Sequence, residues 1–211
     1  MSTISAGTTT TTALVSTGDT TGNLILATGA TPTTALTLNS TTQAATFANN
    51  VTVTGTLTTA SQGIAFASLP TGSILQVVNA TYSTAVTTTG TTLIATGLTA
   101  SITPKSSTSK ILVLIVNPLR RGATSPNGYG MTVRIYRNGS SIFQAMGNLG
   151  YTDPSSNFAQ SWLAPITYLD SPATTSSTTY AMYFASALSG NQATSCVDGD
   201  PATITLMEIA A

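Results

Sequence analysis

Residues 110–117 read Lys-Ile-Leu-Val-Leu-Ile-Val-Asn, and Pro118 follows them. This stretch is the one sustained run of large aliphatic residues in the chain. Its length and β-branched content predict a strand rather than a helix, and Pro118 predicts where that strand ends. Because both alternating faces are apolar, we expect the strand to be buried on both sides, at the centre of a two-layer β structure.

The composition predicts a folded all-β protein whose surface is covered by copies of itself or by a partner. Only 6% of the 211 residues are charged, the net charge is zero, and 41% are hydrophobic. The low hydrophobicity and high net charge typical of disorder are therefore absent. The abundant Thr, Val and Ile suit strands, since β-branched side chains pack well on a pleated surface. A monomer so poor in charge has weak protection against association.

Missing residue types argue against several functional classes. Six Lys and Arg are balanced by six acids, so there is no basic patch for nucleic acid. No apolar run approaches the ~20 residues of a membrane helix, and residues 1–5 lack the features of an export signal. Histidine is absent, which rules out a Ser-His-Asp or Cys-His arrangement within one chain. We therefore expect no catalytic residues, no cofactor and no metal site.

The one close pair of carboxylates is Asp198-Gly199-Asp200, followed by Pro201. Such a pair fits either a weak Ca²⁺ loop or acid pair, or a turn in which Asp and Gly have their usual roles. The turn is favoured. The single cysteine, Cys196, excludes an intrachain disulfide, and with no base beside it a buried small side chain or loop thiol is favoured over a nucleophile.

Residues 1–65 are predicted to form a Thr-rich shaft that anchors the protein to a larger particle. Apolar pairs at alternating positions recur between turn-forming residues, with Thr or Ser on the other side, as in half-buried strands; the pairs are Leu24/Leu26, Leu36/Leu38, Ala45/Phe47 and Val51/Val53. One copy offers too few apolar side chains to offset backbone ordering, whereas three copies wound together bring the apolar edges onto a common axis. The alternative is a disordered low-complexity tail.

Residues 66–211 are predicted to form an antiparallel β-sandwich or jelly roll, because many short strands alternate with turn signals and no helical period is present. The predicted strands are 74–79, 83–89, 91–95, 98–103, 110–117, 129–137, 141–147, 158–168, 179–188 and 202–209. The firmest prediction is a hairpin at Asn138-Gly139, since both central residues of such a turn take positive φ.

Aromatic and basic residues concentrate in this second half and are the candidate contacts to a receptor. Arg120, Arg121 and Tyr129 lie in one predicted loop, and Tyr151 and Trp162 lie in or beside another. Aromatic rings and Arg side chains commonly bind sugars and protein epitopes; the alternative for Trp162 is a place in the core.

The final predicted strand carries a carboxylate that needs a partner. Ile204, Leu206 and Glu208 share one face of it, and an unpaired carboxylate there is costly. Arg134, which shares the polar face of its own strand with Thr132 and Tyr136, is the predicted partner in a structural ion pair.

Several stretches resemble tail-fibre proteins of tailed bacteriophages, cyanophages in particular. Ala45–Thr58 (Ala-Thr-Phe-Ala-Asn-Asn-Val-Thr-Val-Thr-Gly-Thr-Leu-Thr) is similar to their shaft-to-knob junction. The C-terminal half is similar to the head domain of such fibres, and the motifs that carry this resemblance are the segments 98–113, 134–139, 168–172 and 204–209. The resemblance implies a homotrimer with a β-stranded shaft and a jelly-roll knob of the C1q/TNF type, and knobs of this kind commonly bind cell-surface glycans or proteins.

The sequence therefore predicts a non-enzymatic virion structural protein, a short trimeric tail fibre assembled in the host cytoplasm and exposed on the particle. Its expected partners are itself, another virion protein through residues 1–65, and a host surface glycan or protein through the knob, with no nucleic acid and no membrane insertion. A capsid-decorating head fibre or cement protein is the first alternative. A cellular carbohydrate-binding adhesion module and a depolymerase are the others.

Overall fold

The computed structural model describes residues 24–28, 33–39, 41–42, 44–48, 51, 69–122, 130–149 and 159–211. The chain divides into two compact units, Met1–Ala60 and Ser61–Ala211. None of the described residues belongs to a helix long and apolar enough to cross a membrane.

The first unit contains a small antiparallel sheet in the order β1-β2-β3. Its strands are β1 (Leu24–Thr28), β2 (Thr33–Leu38) and β3 (Ala45–Phe47). A turn at Asn39 connects β2 and β3: its Oδ1 accepts the backbone N–H groups of Thr41 and Thr42 at 2.9 and 2.8 Å. Leu38 and Phe47 are 39% and 50% exposed, so the described part of this sheet leaves apolar surface uncovered. Of the last predicted apolar pair, Val51 lies outside any strand, and Val53 lies outside the described residues.

The second unit is a sandwich of two antiparallel sheets. Its strands are β4 (Ile74–Tyr82), β5 (Val86–Thr88), β6 (Ile94–Ile102), β7 (Lys110–Gly122), β8 (Met131–Arg137), β9 (Ser140–Leu149), β10 (Ala159–Asp170), β11 (Thr178–Ser186), β12 (Gln192–Ser195) and β13 (Ala202–Ile209). The first sheet has the order β4-β13-β7-β12-β5, with β10 also paired to β7, and the second has the order β6-β11-β8-β9.

The connections between the strands give this sandwich a jelly-roll topology. β10 pairs along nearly all of β7, so β13 and β12 share the opposite edge of β7 and behave as one interrupted strand. β4 and β5 pair with β13 and β12 in the same way, which makes the first sheet four strands wide. Apart from the β8–β9 hairpin and these two interruptions, every connection crosses from one sheet to the other. This arrangement is that of a jelly roll, and it confirms the predicted fold class.

Strand β7 is the centre of the first sheet, as predicted, but only one of its faces lies in the core. Ile111, Val113 and Ile115 are at most 1% exposed, whereas the alternating residues Leu112 and Leu114 are only partly buried. The buried face packs on the inner side of the second sheet, where the buried side chains include Leu98, Ile135, Met182 and Phe184. The expectation of burial on both sides is therefore not met within one chain.

The prediction that Pro118 ends this strand is wrong, because β7 continues to Gly122. Pro118 pairs with Leu163 of β10. Because proline has no N–H to donate, Pro118 and Leu163 form a non-hydrogen-bonded pair. The backbone nitrogen of Pro118 therefore points away from β10, toward the other edge of β7. On that edge Pro118 lies in the gap between β13 and β12, so no ladder hydrogen bond is lost. The neighbouring Asn117 side chain bridges the gap by accepting the N–H of Cys196 at 3.2 Å.

Two sites of positive φ in the second sheet involve glycine. Asn138 and Gly139 have φ of 48° and 81°, which confirms the predicted hairpin. The predicted segments 91–95 and 98–103 are joined into one strand, β6, through Gly97 at φ 89°. A Cβ at Gly97 would lie 2.3 Å from the ring of Tyr82, so this position needs glycine for both conformation and space. Strand β12 was not predicted.

The predicted Arg134–Glu208 ion pair is wrong. Glu208 is fully buried on the first sheet, where its Oε2 accepts from Gln76 Nε2 and its Oε1 accepts from the N–H of Lys105, each at 2.6 Å. Arg134 lies on the outer side of the second sheet and donates from Nη2 to Gln144 Oε1 at 2.6 Å. The two side chains belong to different layers, and backbone and amide donors satisfy the carboxylate in place of a cation.

A buried polar cluster ties the two sheets together. Asp170 of β10 is 6% exposed, and its carboxylate accepts from Arg137 Nη1 of β8 at 3.0 and 2.8 Å and from the Tyr180 hydroxyl of β11 at 2.7 Å. Burial and the hydrogen bond to Asp170 raise the pKa of Tyr180 far above its usual range. The hydrogen bond to Asp170 also raises the pKa of Arg137. The cluster is structural, since it lies between the two layers.

Candidate functional site

The outer side of the first sheet is an apolar surface, which we call the apolar face. Antiparallel sandwiches normally place polar side chains on the outside, yet here the outward residues include Leu163, Ile74, Val77 and Leu169 at 60%, 57%, 54% and 47% exposed. The remaining large apolar members are Leu112, Leu114, Val116, Pro165, Met207 and Ile209. By strand alternation, the outward charged side chains on these strands are Lys110 and Arg120, near the two ends of β7.

A cleft of about 230 Å³ opens beside this face, between the edge strands β9 and β10. Trp162, Phe143 and Met146 are among its lining residues. The Trp162 Nε1–H is buried and has no hydrogen-bond partner among the described residues, and Leu163, also in the lining, belongs to the apolar face as well. The cleft and the apolar face are therefore continuous.

The structure does not bring the predicted receptor contacts together. Arg120 points outward and pairs with Asp198 at 3.4 Å. Arg121, the next residue on β7, points inward and is 1% exposed, and burial lowers the pKa of its guanidinium. Arg121 is thus not a surface contact, because the strand continues where a loop was predicted. Tyr129 and Tyr151 lie outside the described residues.

Trp162 also differs from the prediction. It pairs with Leu119, which faces the core, whereas Arg120 pairs with Ser161. Trp162 and Arg120 therefore project to opposite sides of the first sheet. The indole is half-buried and packs against the core. This agrees with the alternative prediction for Trp162, a place in the core.

The Asp198–Asp200 segment is a turn, as favoured from the sequence. It contains a short 3-10 turn, Val197–Gly199, in which Asp198 has φ 56°. No group of three or more Cys, Asp or Glu side chains that could hold a metal ion occurs in the described parts of the chain. Cys196 is fully buried, and its Sγ lies 3.3 Å from the carbonyl oxygen of Tyr82.

The outer side of the second sheet has a different character and carries what we call the tyrosine face, composed of Arg134, Tyr136, Gln144 and Tyr183. The two tyrosine rings stack with their centroids 3.9 Å apart and their planes at 21°. Arg134 is the cross-strand partner of both Tyr183 and Gln144. Neither phenolic hydroxyl makes a hydrogen bond within the described part of the chain, and the Arg134 Nε is buried there without a partner.

Sequence reasoning found only half of the tyrosine face. The alternation in β8 placed Arg134 and Tyr136 together, but Tyr183 and Gln144 lie on other strands. The β8–β9 hairpin brings Gln144 beside Arg134, so this contact could have been predicted from the hairpin in the sequence. The placement of Tyr183 depends on the pairing of β11 with β8, which crosses the sandwich and has no local signal.

Comparison with known proteins leaves the family open. No protein-family model matches the chain, and no curated protein matches it. Among solved structures, that of the infectious bursal disease virus Gx strain and that of the VP2 subviral particle of the same virus each match with 17% identity and a TM-score of 0.34. Each match covers 64% of this chain, which spans 37% and 38% of the respective viral chains. Similarity at this level establishes neither a family nor a function for the chain.

Proposed function

We propose that the protein is a virion structural protein, a short homotrimeric tail fibre that mediates attachment to the host cell. Residues 66–211 form the knob and residues 1–65 the shaft and anchor. The single observation that carries the proposal is the contrast between the two outer sides of the sandwich. One carries many exposed large apolar side chains, among them Leu163, Ile74 and Val77, and the other carries Arg, Gln and Tyr side chains.

Burial of the apolar face favours association. Complete burial of a large aliphatic side chain is worth about 1.5–3 kcal/mol, so covering the exposed half of each of its four most exposed members contributes roughly 1 kcal/mol per side chain. Contiguous apolar patches of this kind mark interaction sites on soluble proteins. The strands of this face also carry few charges that another apolar surface would have to desolvate.

A second copy of the chain is the occupant that this proposal assigns to the apolar face. Apolar surface is left uncovered in both units, at Phe47 and Leu38 in the first and on the apolar face in the second. A second copy carries the same uncovered apolar surface in each of its units.

The distribution of exposed residues favours a ring. Ile74 and Val77 lie on β4, at one edge of the first sheet, whereas Leu163 and Leu169 lie on β10, at the other edge. When different patches of neighbouring copies meet, a rotation that closes produces a cyclic oligomer. The number three comes from the resemblance to phage fibres.

The first test is the solution mass and shape of the full chain by light scattering and sedimentation. We expect an elongated particle of three times 21.4 kDa. Leu163→Lys and Val77→Lys place a charge on the apolar face and should shift the protein to monomer. Ser140→Lys, at an exposed position of the β8–β9 hairpin, is the matched control and should remain trimeric. A compact wild-type monomer contradicts the proposal.

The second test is the position and activity of the protein on the particle. Gold-labelled antibodies against the knob should bind the tail of intact virions, and the purified trimer should bind host cells and compete with infection. Labelling of the capsid would refute the tail-fibre assignment and support a decorating head fibre. Absence of binding to host cells would refute the attachment role.

A further inference from the structure

We infer that the tyrosine face is a binding site for carboxylate-bearing saccharides, such as the uronic acids of surface polysaccharides. This inference rests on the proposed attachment function and names the site and the ligand chemistry. The site consists of the guanidinium of Arg134, the hydroxyls of Tyr136 and Tyr183, and the amide of Gln144.

The state of Arg134 points to an anionic ligand. Arg120 and Arg137 each pair with an aspartate, whereas the hydrogen bond that Arg134 makes in the described structure goes to the neutral amide of Gln144. Among the described residues no carboxylate pairs with Arg134. Its planar fork has five N–H donors, and one hydrogen bond to Gln144 leaves donors for a carboxylate, which Arg binds in bidentate geometry.

The tyrosine pair supplies groups suited to a sugar. The two stacked rings, whose centroids lie 3.9 Å apart, carry two phenolic hydroxyls, and each hydroxyl is both a donor and an acceptor. Sugar hydroxyls need such partners, and the C–H faces of a sugar ring pack on aromatic carbon. Both tyrosines are already half-buried, so little rotamer freedom is lost on binding.

The location of the site is compatible with assembly. The tyrosine face lies on the outer side of the second sheet, whereas the apolar face lies on the outer side of the first, so one sandwich can use both. A trimer then displays three copies of the site, and a polysaccharide with repeated acidic groups engages them with avidity. Weak binding by each copy is therefore sufficient for attachment.

The test is calorimetric titration of the full-length protein with oligogalacturonate, with neutral galactan oligomers as the control ligand. We expect the acidic oligomer to bind and the neutral one to bind at least tenfold more weakly, since a hydrogen bond between charged groups is worth about a factor of ten or more. Binding should weaken as NaCl is raised. Equal binding of the two oligomers, or binding insensitive to salt, overturns the inference.

Three variants locate the site. Arg134→Gln should weaken binding about tenfold or more, and Tyr183→Phe, which removes one hydroxyl and keeps the ring, should weaken it several-fold. Arg120→Gln removes a partly exposed arginine of the first sheet, which pairs with Asp198, and should leave binding unchanged. Each variant is compared with the wild type in oligomeric mass and melting temperature. Unchanged binding in both Arg134→Gln and Tyr183→Phe, or an equal loss in Arg120→Gln, overturns the inference.

The outcomes separate this inference from the proposed function. A trimer that binds host cells but no uronate, or prefers a phosphate polymer such as polyphosphate, refutes the saccharide assignment and leaves the fibre standing. A monomer that binds uronate through Arg134 without binding host cells supports the site and refutes the fibre.

Discussion

Asp170→Asn is expected to destabilise the knob far more than the same change at Asp198, although both aspartates pair with arginine. The Asp170 carboxylate is 7% exposed and accepts three hydrogen bonds, two from Arg137 and one from the Tyr180 hydroxyl. Asparagine offers one acceptor oxygen and turns an N–H₂ group toward donors that had faced a carboxylate. Removing one partner of a buried pair costs about 3–5 kcal/mol. Because the Arg137 side chain is 31% exposed and regains water, we expect a loss of roughly 2–4 kcal/mol.

Asp198→Asn is the matched control. The Arg120–Asp198 distance is 3.4 Å and the Asp198 side chain is 75% exposed, so the pair is screened by solvent and worth less than about 1 kcal/mol. Asp198 also has φ 56°, a conformation that asparagine adopts readily. The backbone of the turn is therefore kept, and the substitution isolates the loss of one surface charge.

The assay is urea or thermal unfolding at a fixed protein concentration, followed by the fluorescence of the single tryptophan, Trp162. Asp170→Asn should lower the melting temperature by roughly 5–15 °C and Asp198→Asn by less than about 3 °C. Oligomeric mass is measured in parallel, because dissociation also lowers apparent stability. Equal and small effects of the two substitutions would refute the argument that the Asp170 cluster clamps the sheets together.

Three further substitutions test other parts of the fold. The pKa of Tyr180 is raised in the folded state, so the unfolded chain loses this proton first and the free energy of unfolding should fall as pH rises above about 10. Tyr180→Phe should be less stable at neutral pH, and its stability should decline less steeply at alkaline pH. Urea titrations at several pH values measure both effects. Glu208→Gln places an N–H₂ group against the donors of Gln76 and Lys105 and should cost about 1–3 kcal/mol in unfolding free energy, and a neutral result would mean that the carboxylate is dispensable. Gly97→Ala forces an alanine into positive φ and brings its Cβ against the ring of Tyr82, so it should lower the free energy of unfolding by about 1–3 kcal/mol. Thermal unfolding measures this loss. An unchanged melting temperature would contradict the packing described for β6.

The sequence predicted what depends on local pattern. The aliphatic run 110–117 identified the central strand, alternation placed Arg134 and Tyr136 on one face, and Asn138-Gly139 identified the hairpin. Each of these signals lies within a few residues of the feature that it predicts. The repetition of such signals along the chain predicted an antiparallel sandwich or jelly roll.

The sequence failed where the outcome depends on which strands become neighbours. Pro118 is accepted within β7 because β12 and β13 leave a gap opposite it. Arg121 is buried because the strand continues past that proline. The partners of Glu208 are the Gln76 side chain and a backbone N–H of the β6–β7 connection, and residue type alone does not distinguish that N–H from any other.

The position of β13 between β4 and β7 also sets the order in which the first sheet is completed during synthesis. Gln76 and Glu208, which bond across the β4–β13 pair, are 132 residues apart in the chain. At about 5–20 residues per second, synthesis of the 132 residues between them takes roughly seven to twenty-six seconds, and β4 has no neighbour in its sheet until then. Through that interval the aliphatic run of β7 has an open edge, and contacts so distant in sequence form slowly afterwards. A chain that stops short of β13 leaves β4 unpaired and exposes one edge of β7, although β7 keeps its pairing with β10. The first sheet is therefore completed only when the end of the chain has been made.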